Sequence, residues 1–260
     1  MKLRSLGAPL AVAFAAAVGS CTQVSTSPTL IVALEFDSLP FPAIVTGDTL
    51  RDSLGHVAPL HALAFNAAAR LVAGAPVRYI ALDTGLTIDA SGITTAQLRN
   101  GPVRIVASVD NFQSVTRTIE VARRPDTVIA VGTQDTTIRF SIPDSAARNV
   151  TAPLGVRLAT GDSGGGITRT KGWLVSYQVT FHGAALALSD TTRASLWDDA
   201  GKVSALDTTA VDGLASRRLR IRSTFLSAQP DSFIVLATVR YRGAHVRGSP
   251  MRFVVRVQPR

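Results

Sequence analysis

The sequence predicts an all-β protein built from two antiparallel β-sandwiches. Apolar and polar residues alternate in a series of short runs, and Gly, Pro, Asn and Asp separate those runs. Period-two alternation divided by turn residues is typical of strands with one buried and one solvated face. The composition agrees, because the 260 residues include 20 Gly and 13 Pro, and hydrophobic residues make up 46%. That length and hydrophobic content are sufficient for two packed domains.

Residues 1–20 are organised as an export signal. Lys2 and Arg4 give a positive start, and Leu6 to Val18 is an apolar stretch too short to cross a bilayer of about 30 Å comfortably. The small residues Gly19 and Ser20 follow. We therefore expect an exported chain from which residues 1–20 are removed.

The end of this signal contains the single cysteine of the chain. The stretch 18–21, Val-Gly-Ser-Cys, resembles the lipobox of bacterial lipoproteins. The resemblance implies that Cys21 receives a diacylglycerol and becomes the first mature residue. Two or three acyl chains form a stable membrane anchor where a single chain does not. The resemblance also favours the outer membrane, because Thr22 stands where an Asp acts as an inner-membrane retention signal in some bacteria.

A short polar tether at residues 21–28 leads into the first predicted sandwich, at residues 29–123. Within it the alternation predicts strands at 30–36, 60–65, 77–82, 103–109 and 115–121. In the fourth strand the predicted inner face is Val103, Ile105, Ala107 and Val109. In the fifth it is Val115, Arg117, Ile119 and Val121.

A series of motifs in this region resembles bacterial Ig-like domains. The motifs are Gly47-Asp48-Thr49, Tyr79 within a strand, Ile88 to Thr94, Val103 to Ala107 and a closing run at Thr118 to Val121. The resemblance covers residues 29–121. It implies an immunoglobulin-like sandwich that opens at the Gly-Asp-Thr and has Tyr79 filling the core where Trp is usual. Leu50 to Pro59 departs from the pattern and is predicted to be an inserted loop.

Arg123 to Asp126 marks the predicted boundary before a second sandwich at residues 126–260. The pattern predicts its strands at 136–142, 153–159, 173–181, 217–221, 233–241 and 251–257. Residues 179–181, 212–215 and 235–239 are similar to the invasin-like branch of bacterial Ig domains. Two segments, 159–172 and 188–206, are longer than such a domain requires, and they imply long loops.

Two motifs suggest hydrolases without their complete machinery. Gly161 to Gly166 looks like the nucleophile loop of serine proteases and contains Ser163, but neither His56 nor His61 lies in the expected small-residue setting. Gly47 to Leu50 has Thr where the esterase motif has its nucleophilic Ser. We expect no catalytic residues, and a serine hydrolase at Gly161–Gly166 is kept as a remote alternative.

Metal-binding spacing is also absent from the sequence. The four histidines, His56, His61, His182 and His245, are far apart, and Cys21 has no partner cysteine. Asp198 and Asp199 are adjacent carboxylates without the alternating ligands of a calcium loop. We expect neither a metal nor a cofactor.

Arginines recur on alternate positions of two predicted strands. The first group is Arg218, Arg220 and Arg222, and the second is Arg240 and Arg242. Such faces are either the solvated side of a strand or a basic surface for an anionic glycan or lipid. We expect no nucleic-acid partner, because the chain is exported and no aromatic residues interleave with the arginines. The formal net charge of +9 is compatible with both interpretations.

These observations predict a non-enzymatic, membrane-anchored lipoprotein whose tandem Ig-like domains act in binding, adhesion or spacing at the cell envelope. Its expected partners are the membrane, through the lipid on Cys21, and a protein or glycan of the envelope. The alternative is an anionic glycan- or lipid-binding module that uses the arginine faces.

Overall fold

The computed structural model describes residues 30–98, 100–140, 149–161, 166–190, 192–222 and 230–259. Every regular element in these ranges is a β-strand, and no helix within them is long and apolar enough to cross a membrane. Cys21 and the predicted export signal and tether lie outside the described residues, as do residues 162–165, which include Ser163. The predicted all-β fold class, with two immunoglobulin-like sandwiches, is confirmed.

Nine strands belong to the first sandwich in the part of the chain that the structure describes. They are β1 (Ile31–Phe36), β2 (Ala43–Val45), β3 (Ala62–Asn66), β4 (Arg78–Ala81), β5 (Leu86–Ile88), β6 (Thr94–Ala96), β7 (Gly101–Val109), β8 (Phe112–Gln113) and β9 (Arg117–Ala122). One sheet has the order β2-β9-β7-β4, with β8 beside β7. The pairs β1-β3 and β5-β6 form separate two-stranded sheets, and β1 packs against β7 and β8.

The core of this sandwich follows the predicted alternation most clearly in β7. Val103, Ile105, Ala107 and Val109 are all buried, with at most 3% of their surface exposed. Tyr79 packs on Phe36 with ring centroids 5.8 Å apart, and burial raises the pKa of its hydroxyl. An aromatic side chain at this position therefore contributes to the core, as the family resemblance implied.

The second sandwich contains thirteen strands in the described residues. They are β10 (Thr127–Val131), β11 (Asp135–Phe140), β12 (Leu154–Gly161), β13 (Ile167–Arg169), β14 (Leu174–Phe181), β15 (Ala184–Ala185), β16 (Ala194–Trp197), β17 (Leu206–Thr208), β18 (Leu214–Ile221), β19 (Asp231–Thr238), β20 (Arg240–Tyr241), β21 (Ala244–His245) and β22 (Met251–Pro259). Its sheets have the orders β10-β12-β18-β16 and β11-β22-β19-β14-β15, and β20-β21 is a separate hairpin.

The two main sheets of the second sandwich enclose a core centred on Phe233 and Phe253, which are fully buried. A hydrogen bond from the Tyr177 hydroxyl in β14 to the Ala215 carbonyl in β18, 2.9 Å long, joins the sheets. A buried hydroxyl satisfied in this way fixes how the sheets face each other.

Each sandwich contains one parallel pair among its described strands. β2 runs parallel to β9, and β11 runs parallel to β22. In both cases the chain leaves its first strand, β1 or β10, and crosses to the opposite sheet, where it lies beside the last strand. The irregular segments between them, 37–42 and 132–134, contain Pro40, Pro42 and Gly132, which do not continue a ladder.

Two strand predictions need correction. Val115 and Arg117 were expected on the inner face of β9, but Val115 is 77% exposed and Arg117 is also exposed. The strand begins only at Arg117, because Ser114 bonds to the backbone of Ala107 and interrupts the ladder. The segment 188–206, expected to be a loop, contains β16, whose Ala194 and Leu196 are buried.

Candidate functional site at the junction of the sandwiches

Asp48, in the Gly-Asp-Thr motif of the first sandwich, binds residues of the second. Its carboxylate accepts hydrogen bonds from Nε and Nη2 of Arg242 at 2.9 and 2.8 Å, and from the Tyr241 hydroxyl at 2.9 Å. The backbone N–H of Thr49 donates a further bond at 2.8 Å, and Arg51 lies 3.6 Å away. Asp48 is only 6% exposed, whereas the Arg242 side chain is 53% exposed, so this is a two-pronged ion pair with a buried carboxylate and a half-exposed guanidinium.

The local electrostatics favour the charged form of Asp48. Burial alone would raise the pKa of this carboxyl, but the hydrogen bonds from Arg242, Thr49 and Tyr241 outweigh that effect and lower the pKa to about 2. Burial and the neighbouring carboxylate together raise the pKa of Tyr241. The pair is therefore ionised, and the phenol remains protonated, at any physiological pH.

Arg242 reaches Asp48 because of the turn on which it stands. β20 and β21 pair at Tyr241 and Ala244, which leaves Arg242 and Gly243 as a two-residue loop. Both have positive φ, 49° and 79°, as a type I′ turn requires. A non-glycine residue in the left-handed region costs free energy. The bonds to Asp48 offset that cost and fix the guanidinium at the tip of the hairpin.

The loop predicted as an insertion forms the other side of this contact. Arg51 and Val57 pair across it, and the Asp52 carboxylate accepts the N–H groups of Leu54 and His56 at 2.9 Å, which closes the loop. Gly55 at its tip meets the hairpin so closely that a Cβ there would lie 2.3 Å from the nitrogen of Gly243. The departure from the family pattern is thus the surface that docks the second sandwich.

Aromatic rings form a further contact between the two sandwiches. Trp173 is 4% exposed, and its ring lies edge-on to Phe41 of the first sandwich, with centroids 5.1 Å apart. The indole N–H donates to the Arg240 carbonyl at 3.2 Å, and the ring of Tyr241 lies 6.2 Å away. Rings at these separations attract each other beyond the area they bury.

A second ion pair lies beside Trp173. The ammonium of Lys171 is 2.9 Å from the Glu120 carboxylate of β9. A buried hydroxyl holds this part of the chain in place. The Thr209 hydroxyl donates to the Thr170 carbonyl at 2.7 Å and accepts a hydrogen bond from the backbone N–H of Trp173 at 2.9 Å. The turn that carries Lys171 and Trp173 is therefore held by contacts within the second sandwich, independently of the first sandwich.

The space enclosed between Phe41, Asp48, Trp173 and Tyr241 is small. Its volume is about 30 Å³, roughly one water molecule, whereas small-molecule sites usually enclose hundreds of Å³. The arrangement is a packed contact between two bodies and has no room for a substrate.

The arginines singled out in the sequence do not form one exposed face. Arg218, Arg220 and Arg222 do alternate along and just after β18, but Arg220 is only 2% exposed and its guanidinium lies over the Trp197 ring, 5.7 Å from the centroid. The expectation of a solvent-facing Arg220 is therefore wrong. Arg218 lies 3.9 Å from the Asp199 carboxylate.

The second arginine pair is divided between two roles. Arg240 is exposed on β20, whereas Arg242 is bound to Asp48 in the junction. Sequence reasoning missed Arg217, which is 7% exposed, lies 3.0 Å from Asp207 and bonds to the Ser204 and Ser216 carbonyls. The available signal was its position in the strand: Arg217 alternates with the apolar residues Ala215, Leu219 and Ile221 on one face of β18.

Three of the four histidines each lie beside a different carboxylate. His56 and His61 lie near Asp52 and Asp37 of the first sandwich, at 3.3 and 3.4 Å, and His182 lies 3.0 Å from Asp231 of the second. In the part of the chain that is described, no three His, Cys, Asp or Glu side chains gather into a group that could hold a metal.

The adjacent carboxylates of Asp198 and Asp199 have structural partners. Asp198 accepts the Lys202 N–H at 2.8 Å and so closes a turn, while Asp199 pairs with Arg218. They contribute to a turn after β16 and to an exposed ion pair.

No protein-family model and no curated protein sequence matches this chain significantly. Solved structures similar to it include domains 4–9 of the surface layer protein SbsC, at 11% identity and a TM-score of 0.29, covering 89% of this chain and 32% of that one. The Yersinia pseudotuberculosis adhesin InvE is similar at 15% identity and a TM-score of 0.31, with coverages of 86% and 58%. The D0–D1 domain of intimin is similar at 12% identity and a TM-score of 0.26, with coverages of 87% and 97%.

The chain spans about a third of the SbsC fragment and just over half of the InvE chain. At such identities and TM-scores, these similarities carry no conclusion about the role of this chain. The role of this chain must be inferred from its own residues.

Proposed function

We propose that this chain is a non-enzymatic, exported module that is anchored to the outer membrane through Cys21 and holds two immunoglobulin-like sandwiches in one fixed arrangement. It acts in binding, adhesion or spacing at the cell envelope, where its partner is a protein or a glycan. The junction at Asp48 is the observation that carries the proposal.

The contacts at the junction oppose movement of one sandwich relative to the other. Domains joined by a short linker move relative to each other unless their interface is extensive or strongly held. Here a bidentate ion pair on a buried carboxylate, an edge-to-face aromatic contact and direct backbone packing act together. A chain that only displayed two independent binding domains would not need these contacts, whereas a spacer or a composite binding surface does.

Spin labels test the fixed arrangement. Leu98→Cys and Val211→Cys, whose native side chains are 92% and 78% exposed, place one label on each sandwich in a Cys21→Ser background. We expect a narrow distance distribution that broadens when Asp48→Ala and Phe41→Ala are added. A distribution that is already broad without those two changes would contradict the proposal.

Metabolic labelling tests the anchor. Because the chain has a single cysteine, Cys21→Ser removes the only thiol that could receive a diacylglycerol. We expect palmitate incorporation in the unchanged protein and none in the variant. Incorporation that persists in Cys21→Ser would contradict anchoring at this residue.

A further inference from the structure

Exposed apolar side chains gather at the end of the first sandwich that lies away from the junction. We call Leu30, Leu71, Phe112 and Val115 the distal patch; their exposed fractions are 48%, 57%, 38% and 77%. Apolar side chains grouped on a surface mark interaction sites more often than scattered ones do.

The strand directions place these residues at one end. β9 runs from Arg117 towards Ala122, and Glu120 near its end contacts Lys171 of the second sandwich. β7 is antiparallel to β9, so its end at Val109 points away from the junction. Phe112 pairs with Val109 across the β7-β8 turn, and Val115 follows within three residues.

The remaining patch residues reach the same end through β1. This strand packs against β8 and pairs with β3 so that Ile31 lies opposite Asn66. Leu30 directly precedes Ile31, and Leu71 pairs with Phe65 just after the turn that follows Asn66. The exposed charged residues that the structure describes near these strand ends include Arg70, Arg78 and Asp110.

The position of this patch relative to Cys21 decides what can cover it. Only residues 22–29 separate Cys21 from Leu30. At about 3.3–3.6 Å per residue, that segment spans at most about 30 Å. If Cys21 is lipidated, the end of the sandwich at which the chain enters is held next to the bilayer, and this is the end that carries the distal patch.

We propose that the distal patch docks on the phospholipid surface, with Phe112 and Val115 entering the headgroup region. Apolar side chains flanked by cations bind in this way to the boundary between headgroups and acyl chains. Docking would orient the sandwiches relative to the membrane, whereas attachment through Cys21 alone limits only their distance from it. This inference rests on the proposed anchoring at Cys21, and its test is designed to be independent of natural lipidation.

In the test, a hexahistidine tag replaces residues 1–21, and the chain is tethered to phosphatidylcholine–phosphatidylglycerol vesicles that contain a nickel-chelating lipid. All described strands lie after residue 30, so the replacement removes none of them. Val115→Cys introduces a single thiol for an environment-sensitive fluorophore. Val211→Cys is the matched control, because Val211 is 78% exposed and lies in the second sandwich.

We expect the probe at residue 115 to shift to the blue on vesicles and to be quenched by spin-labelled lipid, while the probe at residue 211 does neither. Phe112→Ser should lower the ratio of inserted to exposed probe about tenfold. Equal responses at the two positions would overturn the docking. A blue shift at residue 115 that already occurs in solution, together with dimerisation in sedimentation, would overturn it in favour of contact with a second copy.

This result is separate from that of the palmitate experiment. Docking of the tagged chain would stand even if Cys21 proved not to be lipidated, and lipidation would stand even if both probes remained in water.

Discussion

The backbone of Gly243 packs against the carbonyl oxygen of Leu54, so closely that a Cβ on Gly243 would lie 2.4 Å from that oxygen. The two residues belong to different sandwiches. Contact at this range is open only to a residue without a side chain. The junction therefore depends on a glycine for close approach as well as on charges and rings for attraction.

We predict that Gly243→Ala loosens the junction, and the chain provides a matched control for it. His182 and Gly183 form a second two-residue turn with φ of 48° and 81°, but a Cβ on Gly183 would meet nothing within 4 Å. Both substitutions strain the left-handed backbone, at about 1 kcal/mol, and only Gly243→Ala adds a clash, at about 1–3 kcal/mol. Urea unfolding and the spin-label distances measure the difference; equal losses for the two variants would refute the close contact.

A second prediction concerns how the free energy of unfolding depends on pH. The pKa of Asp48 is about 2, below its ordinary value of 3.8, so its ion pair stabilises the folded chain by about 2 kcal/mol above the unfolded-state pKa. That contribution falls as the pH drops from about 5 towards 2, because the unfolded chain takes up the proton first. The free energy of unfolding should therefore differ between wild type and Asp48→Asn at pH 7, and much less near pH 2.

The control for this prediction is Asp135, which pairs with Arg256 in the same two-pronged way but is half exposed. Exposed pairs contribute little because water screens them. Asp135→Asn should change the free energy of unfolding far less than Asp48→Asn does at pH 7, and by a similarly small amount near pH 2. A loss at pH 7 equal to that of Asp48→Asn would show that burial at the junction adds nothing.

A third prediction separates the arginines of β18. Arg220→Ser should destabilise the second sandwich by about 2 kcal/mol, because it empties a buried site and removes the cation over Trp197. Arg218→Ser should cost no more than about 0.5 kcal/mol, because its side chain is 43% exposed and its partner Asp199 is 84% exposed. Thermal unfolding compares the two, and equal shifts would contradict the assignment.

Replacing Arg218, Arg222 and Arg240 tests their alternative role in binding an anionic ligand. If Arg218 and Arg222 bind an anionic glycan or lipid, replacing both with Ser should abolish salt-dependent binding to anionic vesicles. Arg240→Ser extends the test to the hairpin without touching Asp48. Binding that is absent from the unchanged protein, or that does not respond to salt, would remove this alternative.

The sequence predicts local structure well where a single strand determines its own burial. The four predicted inner residues of β7 are all buried, while Pro102 and Arg104 on the other face are exposed; Val106 on that face is buried as well. β16 escaped prediction because Ala194 to Leu196 are buried on both faces, which leaves no alternation to detect.

Long-range pairing is what the sequence could not predict. Asp48 and Arg242 are separated by 194 positions, and neither stands in a pattern that names the other. The segment 50–59 was recognised as a departure from the family pattern, but its contact with the β20-β21 hairpin depends on how two sandwiches meet. Arg220 was predicted on the wrong side for the same reason. Its burial depends on Trp197 of the neighbouring strand β16, which the sequence of β18 alone does not reveal.

The last prediction concerns Phe41, whose ring shields Trp173 at the junction. In a Trp197→Phe background Trp173 is the only tryptophan, so its emission reports on this contact alone. Phe41→Ala should shift that emission to the red and lower the free energy of unfolding by about 2–3 kcal/mol. Phe181→Ala is the control, because Phe181 packs on Phe233, 4.7 Å away within the second sandwich; it should destabilise the fold without moving the emission. A red shift of equal size in both variants would mean that Trp173 responds to the stability of its own sandwich. The contact between Phe41 and Trp173 would then not contribute to holding the two sandwiches together.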